Sequence, residues 1–182
     1  MSGFVLVVGP SGAGKDTLLR LVREALAGEP RVLFPRRVIT RPESAAEAHD
    51  TLDEAGFLAA QAAGRFCLHW GAHGLRYGIP ASAAEAARQG SVVVCNVSRG
   101  VVAPARASLP GVTAVEITAP AEVLAARLAQ RGRAEDGDLA QRLARQASAD
   151  VELRIMNDST AEAGAALLLA HVQERLRPPA RG

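Results

Sequence analysis

The sequence has 182 residues, 48% of them hydrophobic, and a formal net charge of +2. This length and apolar content fit one globular domain with a sizeable core. The low net charge and the lack of any long block of like charges exclude nucleic acid and membrane surfaces as general partners. The apolar run at residues 4–8 is too short for a signal peptide or a membrane span, so we expect a cytoplasmic protein.

Short apolar runs alternate with segments of helical periodicity, which predicts an α/β fold with a doubly wound parallel sheet. Strands are predicted at residues 4–8, in one or two short stretches within 31–40 around Pro35, and at 66–70, 91–95, 112–118 and 153–156. Helices are predicted at about 15–26, 51–63, 81–89, 101–109 with an interruption at Pro104, 120–130, 139–147 and 159–176, the last capped by Ser159. Residues 71–78 are rich in glycine and predict a hairpin or a loop.

The turn between the first strand and the first helix carries the strongest functional signal. Its residues read Gly9-Pro10-Ser11-Gly12-Ala13-Gly14-Lys15-Asp16-Thr17 and match the pattern G-x-x-x-x-G-K. Glycines let the backbone wrap a phosphate with its N–H groups pointing inward, and the start of the helix adds its positive dipole end. The turn therefore predicts an ATP-binding P-loop, with Lys15 as a catalytic residue that reaches the β- and γ-phosphates.

The residue after the lysine departs from the usual pattern. Ser or Thr, whose hydroxyl binds Mg²⁺, is usual at this place, and the sequence has Asp16 instead. A carboxylate is a hard oxygen ligand, so we predict that Asp16 binds Mg²⁺ while Thr17 offers its hydroxyl to a phosphate. Lys15 is also the one lysine among the 21 Lys and Arg residues, and its position in the motif favours a functional role.

The two cysteines, Cys67 and Cys95, lie far apart in the sequence, each within an apolar run. They lack the spacing of a metal site or of a redox motif. We interpret them as buried, reduced thiols.

The P-loop is followed in order by Ile39-Thr40-Arg41-Pro42, Arg76-Tyr77-Gly78, Cys95-Asn96, Arg131-Gly132-Arg133 and Asn157-Asp158. Over nearly the whole chain this series resembles the guanylate kinase family, and most of all its ribose 1,5-bisphosphate phosphokinase branch of phosphonate catabolism, whose members carry Asp after the P-loop lysine. The resemblance implies a nucleoside-monophosphate-kinase-like P-loop fold. One kinase domain would span residues 1–182, with an acceptor-binding insertion at about 35–80 and a lid at about 131–142.

The departures from guanylate kinase concern the acceptor. By the resemblance, the guanine-reading Ser of that family falls at Arg37 and its guanine-reading Glu near Leu68, so the pocket has lost the groups that discriminate a base. Guanidinium groups match phosphate oxygens, which favours an acceptor with two phosphates and no base. The candidate substrate residues are Arg36, Arg37, Thr40, Arg41, His49, Tyr77, Asn96 and Arg99. Alternatively, Arg36 and Arg37 are solvated arginines on an edge strand. His49 could likewise be a surface loop residue.

Asn96 and Arg99 follow the carboxyl end of a predicted strand, where ligands bind in open α/β sheets. Guanylate kinases have acidic residues there, close to the Mg²⁺. This sequence lacks an acidic residue at this place and has gained one at Asp16, and our hypothesis is that the two changes are connected.

A cluster of arginines surrounds the break between two predicted helices and resembles the lid of the family. An arginine supplied to a phosphoryl-transfer site is worth about 10³ or more in rate. By the resemblance, Arg131, Arg133 and Arg142 are catalytic candidates, Arg127 and Arg145 are weaker ones, and Asn157 lies near the adenine ring. A solvent-facing basic helix pair is the alternative for the arginines.

The expected reaction is transfer of the ATP γ-phosphoryl group to ribose 1,5-bisphosphate, giving 5-phosphoribosyl 1-diphosphate and ADP, with Mg²⁺ as cofactor. The acceptor oxygen is already ionised, so no general base is required.

The first alternative is guanylate kinase or a related nucleoside monophosphate kinase. The second is a catalytically inactive, guanylate-kinase-like interaction domain, against which the intact Gly14-Lys15 pair argues. A sugar kinase with a hydroxyl acceptor would need a carboxylate base that the sequence does not indicate. Homodimer formation is left open.

Overall fold

The structure, a computed structural model, describes residues 2–43, 48–131 and 150–178. Its strands are β1 (Gly3–Val8), β2 (Val32–Leu33), β3 (Val38–Ile39), β4 (Asp50–Thr51), β5 (Phe66–Ala72), β6 (Leu75–Pro80), β7 (Val92–Asn96), β8 (Thr113–Thr118) and β9 (Leu153–Met156). Its helices are α1 (Lys15–Ala25), α2 (Glu54–Ala62), α3 (Ala81–Arg88), α4 (Val102–Ser108), α5 (Ala121–Arg131) and α6 (Ala161–Leu176), with a 3₁₀ turn at Arg99–Val101. Among these residues, none of the helices combines the length and hydropathy that a bilayer crossing needs.

The central sheet has the strand order β2-β7-β1-β8-β9. All its neighbouring strands run parallel. Every residue of β1 is buried, because helices cover both faces of the sheet, and this explains why the strand reads as a continuous apolar run. Four strands end close together along one side, which we call the carboxyl edge, at Val8, Asn96, Thr118 and Met156.

The two faces of the central sheet hold separate cores. Leu6 and the other side chains on its face of β1 pack with α3 and α4. Val7 and its face pack with α1, α5 and α6, where Leu18, Leu124 and Leu168 are fully buried. The predicted doubly wound parallel sheet is therefore confirmed.

A second, small sheet has the strand order β4-β3-β6-β5. β5 and β6 form an antiparallel hairpin, and the turn between them places His73 at a φ of 53° and Gly74 at 73°. The Phe57 ring stacks on Phe66, with ring centroids 4.7 Å apart, and so packs α2 against this sheet. The glycine-rich segment at 71–78 is thus a hairpin, one of the two predicted forms.

Three local predictions were wrong. Pro104 does not interrupt a helix, because it is the third residue of α4, where the backbone N–H has no intrahelical acceptor to lose. The cap of α6 is Thr160, whose Oγ1 accepts a hydrogen bond from the Ala163 N–H at 3.2 Å, rather than Ser159. The helix predicted from residue 51 begins at Glu54, since Asp53 caps it and residues 50 and 51 form β4. The helix predicted at 139–147 lies outside the described residues.

Candidate active site

The loop from Gly9 to Gly14 joins β1 to α1 at the carboxyl edge. Its three glycines have φ values of 142° at Gly9, 84° at Gly12 and 90° at Gly14. A Cβ at Gly9 would lie 1.9 Å from the carbonyl oxygen of Ile117 on β8. The loop can therefore follow this path only with glycine at that position, because both its backbone conformation and its neighbour exclude a side chain.

Lys15 is the first residue of α1, and its side chain turns back over the loop. Its Nζ donates to the carbonyl oxygens of Gly9 at 2.7 Å and Pro10 at 3.0 Å. The ammonium thus lies against the loop backbone, beside the start of a helix whose dipole is positive at this end. This combination of N–H groups, helix start and ammonium is suited to a bound polyphosphate.

Two side chains from other elements fix the outer side of the loop. The Nδ2 of Asn157, which follows β9, donates to the Ala13 carbonyl at 2.8 Å, and Asn157 is only 5% exposed. Arg127 of α5 donates to the Gly12 carbonyl at 3.1 Å and to the Asn157 carbonyl at 3.3 Å. The Asn157 side chain, which the resemblance placed near a base, thus bonds the loop backbone, and we assign it a positioning role.

Removing this support should weaken nucleotide binding. In Asn157→Ala the Ala13 carbonyl loses its buried donor, and a buried polar group left unsatisfied costs about 1–3 kcal/mol. We expect a lower melting temperature and an ATP Kd raised by about tenfold, since 1.4 kcal/mol of lost loop order corresponds to that factor.

Thermal unfolding and equilibrium ATP binding measure the two effects of Asn157→Ala. Asp158→Ala is the matched control, because Asp158 is the exposed neighbour in the chain and the structure shows no hydrogen bond from its side chain to the loop. An Asn157→Ala protein with unchanged ATP affinity would contradict the positioning role.

A cavity of about 290 Å³ opens beside the loop, between α1 and the segment that follows β2. Its end nearest the loop is formed by Asp16, Thr17 and Asn96, which are three of the site residues predicted from the sequence. The Asn96 Nδ2 donates to the Asp16 Oδ1 at 3.4 Å, which places the amide at the end of β7 beside the carboxylate on α1. The remaining lining residues are Leu19, Arg20, Arg23, Phe34, Pro35, Arg37, Ala48, Val94 and Cys95.

Cys95 belongs to this lining but is not a nucleophile. Burial raises the pKa of its thiol to about 12, so the thiol stays protonated at neutral pH. Burial also raises the pKa of Cys67. Both cysteines are free thiols, and Cys95 is buried as predicted, whereas Cys67 is only partly buried.

Arg37 connects the small sheet to the carboxyl edge of the central sheet. Its guanidinium carbon lies 5.3 Å from the centroid of the Tyr77 ring, and its Nη1 donates to the carbonyl of Asn96 at 3.3 Å. Tyr77 in turn stacks on Trp70, with ring centroids 5.4 Å apart and planes 5° from parallel. The structure thus brings together Arg37, Tyr77 and Asn96, three of the predicted substrate residues.

Four other predicted substrate residues lie around β3 and β4 and are not among the residues that line the cavity. Arg36 forms ion pairs with Asp50 at 2.9 Å and Glu43 at 3.2 Å. The Thr40 Oγ1 accepts from the Arg76 N–H at 2.9 Å, and the His49 Nε2 lies 3.1 Å from the Arg41 carbonyl oxygen. His49 is 1% exposed, so it is not the surface loop residue of the alternative interpretation.

Arg99 follows β7 as predicted, and its guanidinium pairs with Glu116 of β8. Glu116 is 5% exposed and also accepts from Arg154 at 2.6 Å. The sequence analysis missed this carboxylate, because Glu116 interrupts an apolar strand without any recognisable motif. This buried carboxylate pairs with both arginines, and it sets the position of Arg99 at the carboxyl edge.

The lid candidates cannot be placed. The side chains of Arg131, Arg133, Arg142 and Arg145 lie outside the described residues. Their roles remain predictions from the sequence.

No family model matches the chain. The chain is 60% identical over 169 residues to a protein of Methylobacterium radiotolerans named ribose 1,5-bisphosphate phosphokinase PhnN, which covers 93% of this chain and 96% of that protein. A protein with the same name from Rhodopseudomonas palustris is 50% identical, and the alignment covers 84% of this chain and 79% of that protein. Another from Brucella melitensis is 47% identical, and the alignment covers 94% of this chain and 92% of that protein.

Among solved structures, guanylate kinase from Anaplasma phagocytophilum superposes with a TM-score of 0.75 at 18% identity, covering 98% of this chain and 88% of that one. An unliganded sugar kinase from Janibacter gives a TM-score of 0.53 at 18% identity, covering 98% of this chain and 99% of that one. At this identity the two structures support the fold. They confirm the P-loop kinase fold that the sequence predicted.

Proposed function

This chain belongs to the ribose 1,5-bisphosphate phosphokinase family, and from that membership we infer that it transfers the γ-phosphoryl group of ATP to ribose 1,5-bisphosphate, giving 5-phosphoribosyl 1-diphosphate and ADP. The observation that carries the assignment is the cavity that begins at Asp16 and Asn96, directly beside the phosphate-binding loop. A donor held by the loop and an acceptor held in this cavity would meet at the carboxyl edge.

In this reaction an oxygen of the acceptor's 1-phosphate attacks the γ-phosphorus of ATP. A new P–O bond forms, the bond to the β–γ bridging oxygen breaks, and ADP leaves with that electron pair. The attacking oxygen is already ionised, so no side chain needs to accept a proton. The protein mainly positions the groups and compensates their charge, since phosphoryl transfer needs little covalent help.

We propose that Lys15 provides most of the fixed positive charge at the transferred group. When ATP binds, its ammonium exchanges the carbonyls of Gly9 and Pro10 for phosphate oxygens, while backbone N–H groups of the loop surround the β-phosphate. Arg131, Arg133 and Arg142 are proposed to add charge from the lid and to exclude water. Of the predicted substrate residues, Arg37 lines the cavity and is proposed to contact the acceptor there, with Tyr77 positioning its guanidinium.

Mg²⁺ is proposed as the metal, and the residues fit it. No cluster of three or more potential metal-binding side chains occurs in the part of the chain that the structure describes. Mg²⁺ in kinases does not need such a cluster, because one carboxylate, the substrate phosphates and water complete its shell. The exposed Asp16 beside the loop provides that carboxylate. A bound Mg²⁺ would neutralise charge on the β- and γ-phosphates.

If Asp16 is the metal ligand, Asp16→Asn should lower the affinity for Mg²⁺ while the loop keeps its shape. We expect the Mg²⁺ concentration for half-maximal activity to rise by roughly tenfold or more, the scale on which changes around a metal site act. The Mg²⁺-dependent gain in equilibrium ATP binding should shrink in parallel.

Titrations of ATP consumption and of ATP binding against Mg²⁺ measure both quantities. Glu85→Gln is the matched control, because Glu85 is an exposed carboxylate of α3 on the opposite face of the central sheet. Unchanged Mg²⁺ curves in Asp16→Asn would exclude the carboxylate as the ligand.

The function itself is tested by ATP consumption with ribose 1,5-bisphosphate and with GMP in parallel. We expect turnover with the sugar bisphosphate and little with GMP, because Arg37 and Leu68 stand at the guanine-reading positions, and Leu68 cannot accept hydrogen bonds from a guanine edge as Glu would. Turnover of GMP alone would overturn the acceptor and leave the fold unaffected.

A further inference from the structure

We propose that Arg20 and Arg23 form a subsite for the phosphate of the acceptor that does not react, and that this subsite selects a doubly phosphorylated sugar. Both arginines line the cavity that begins at Asp16. The proposal rests on the function proposed above, and it assigns the 5-phosphate of ribose 1,5-bisphosphate to a definite place. Neither Arg20 nor Arg23 belongs to the phosphate-binding loop or to the small sheet.

The cavity wall on the α1 side is one face of that helix. Asp16, Arg20 and Arg23 are spaced by four and three residues, which places their side chains in one row along the helix. At a rise of 1.5 Å per residue, Arg20 lies about 6 Å and Arg23 about 10 Å from Asp16 along the axis. The two phosphates of a pentose 1,5-bisphosphate are separated by the sugar ring, which is comparable with that span.

The opposite wall provides a partner that holds Arg23. The Arg23 guanidinium carbon lies 5.3 Å from the centroid of the Phe34 ring, which also lines the cavity. Stacking occupies the face of a guanidinium and leaves its N–H groups pointing outward from its edge. Such an edge matches two phosphate oxygens at once.

Arg20 completes the subsite and can be released to a ligand. Its Nη1 is 2.7 Å from the Glu24 carboxylate, and both side chains are 59% exposed. An exposed ion pair of this kind contributes little to stability, so a phosphate dianion can replace it. Glu24 does not itself line the cavity, and a phosphate bound there would take its place as the partner of Arg20.

The charge in the cavity is distributed along its length. Its charged lining residues are Asp16, Arg20, Arg23 and Arg37, three cations and one anion, so the net charge is +2. Asp16 and Arg37, whose Nη1 donates to the Asn96 carbonyl, lie at the end where we place the metal. The charged lining residues of the far end are Arg20, which is paired with Glu24, and Arg23. A phosphate ester carries a charge of about −1.5 to −2 near neutral pH, and the far end matches it.

The test uses Arg23→Ala, Arg20→Ala and the double variant. We expect the KM for ribose 1,5-bisphosphate to rise by about tenfold in Arg23→Ala and further in the double variant, the scale of a lost charge-assisted phosphate contact, with kcat largely kept. Competition by two monophosphates separates the ends of the site: the inhibition constant of ribose 5-phosphate should rise in parallel, and that of ribose 1-phosphate should stay within about twofold.

Arg88→Ala is the matched control, because Arg88 is an exposed arginine at the end of α3 that does not line the cavity. Melting temperatures exclude unfolding, and Arg23→Lys should recover part of the affinity. An unchanged KM in the double variant, or equal losses for both monophosphates, would overturn the subsite. A wild-type protein that does not turn over ribose 1,5-bisphosphate at all would instead overturn the proposed function.

Discussion

Lys15→Met should lower kcat with ribose 1,5-bisphosphate by roughly 10³-fold, the upper range for removing one preorganised charge or donor at a transition state. The ammonium lies against the loop through the carbonyls of Gly9 and Pro10, so it is already in place when the phosphates arrive. Methionine keeps the length of the side chain but cannot compensate the charge that develops on the transferred group.

The stability of Lys15→Met should change little, because Lys15 and the two loop residues whose carbonyls it contacts, Gly9 and Pro10, are all only partly buried. Lys15→Arg provides the second measurement. A planar guanidinium is larger and cannot replace a compact ammonium against the loop, so we expect a loss of similar order. Single-turnover rates at saturating ATP measure the chemical step. Wild-type rates in Lys15→Met would exclude the lysine from catalysis.

Gly9→Ala should be the most destabilising substitution in the loop. Its Cβ would lie 1.9 Å from the Ile117 carbonyl oxygen, and its φ of 142° is unfavourable for any residue with a side chain. The clash is with the backbone of the central sheet, so no side-chain rotation relieves it. We expect a loss of about 3–5 kcal/mol in the free energy of unfolding, together with loss of ATP binding.

Gly64→Ala is a control that separates the cost of an unfavourable backbone conformation from the cost of the steric clash in Gly9→Ala. Gly64 has a φ of 70°, and a Cβ there would meet nothing within 4 Å. Its substitution should cost about 1–2 kcal/mol, the price of a left-handed conformation alone. Urea denaturation of the two variants measures the difference. If Gly9→Ala were no more destabilised than Gly64→Ala, the close approach of β1 and β8 would not constrain the loop.

The order of the elements could be predicted from the sequence because the buried strands are short, continuous apolar runs. Residues 4–8 and 92–95 are apolar and buried throughout, so their composition alone identifies them. The ends of the elements were less predictable. Ser159 and Thr160 are both good caps, and the choice between them depends on which one faces the Ala163 N–H in the folded chain.

The phosphate-binding end of the site was predictable because its residues are adjacent in the sequence. The cavity was not, because its walls come from α1, from the segment after β2 and from the end of β7. Arg20 and Arg23 look like ordinary solvated residues on an amphipathic helix. Their spacing from Asp16 shows that the three side chains share one face of the helix. It indicates a binding site only when the residues of the opposite wall are known. Glu116 gave no signal, because its two arginine partners come from distant parts of the chain.

The position of Lys15 has one more consequence, for chemical labelling. Lys15 is the one lysine in the sequence, so its side chain carries the one ε-amino group that an acylating reagent can modify. That nitrogen lies on the backbone of the phosphate-binding loop. Acylation of the lysine side chain therefore reports on a single atom at the nucleotide site, and a bound polyphosphate would protect it. The molecule thus has a built-in probe of nucleotide occupancy that needs no engineered residue.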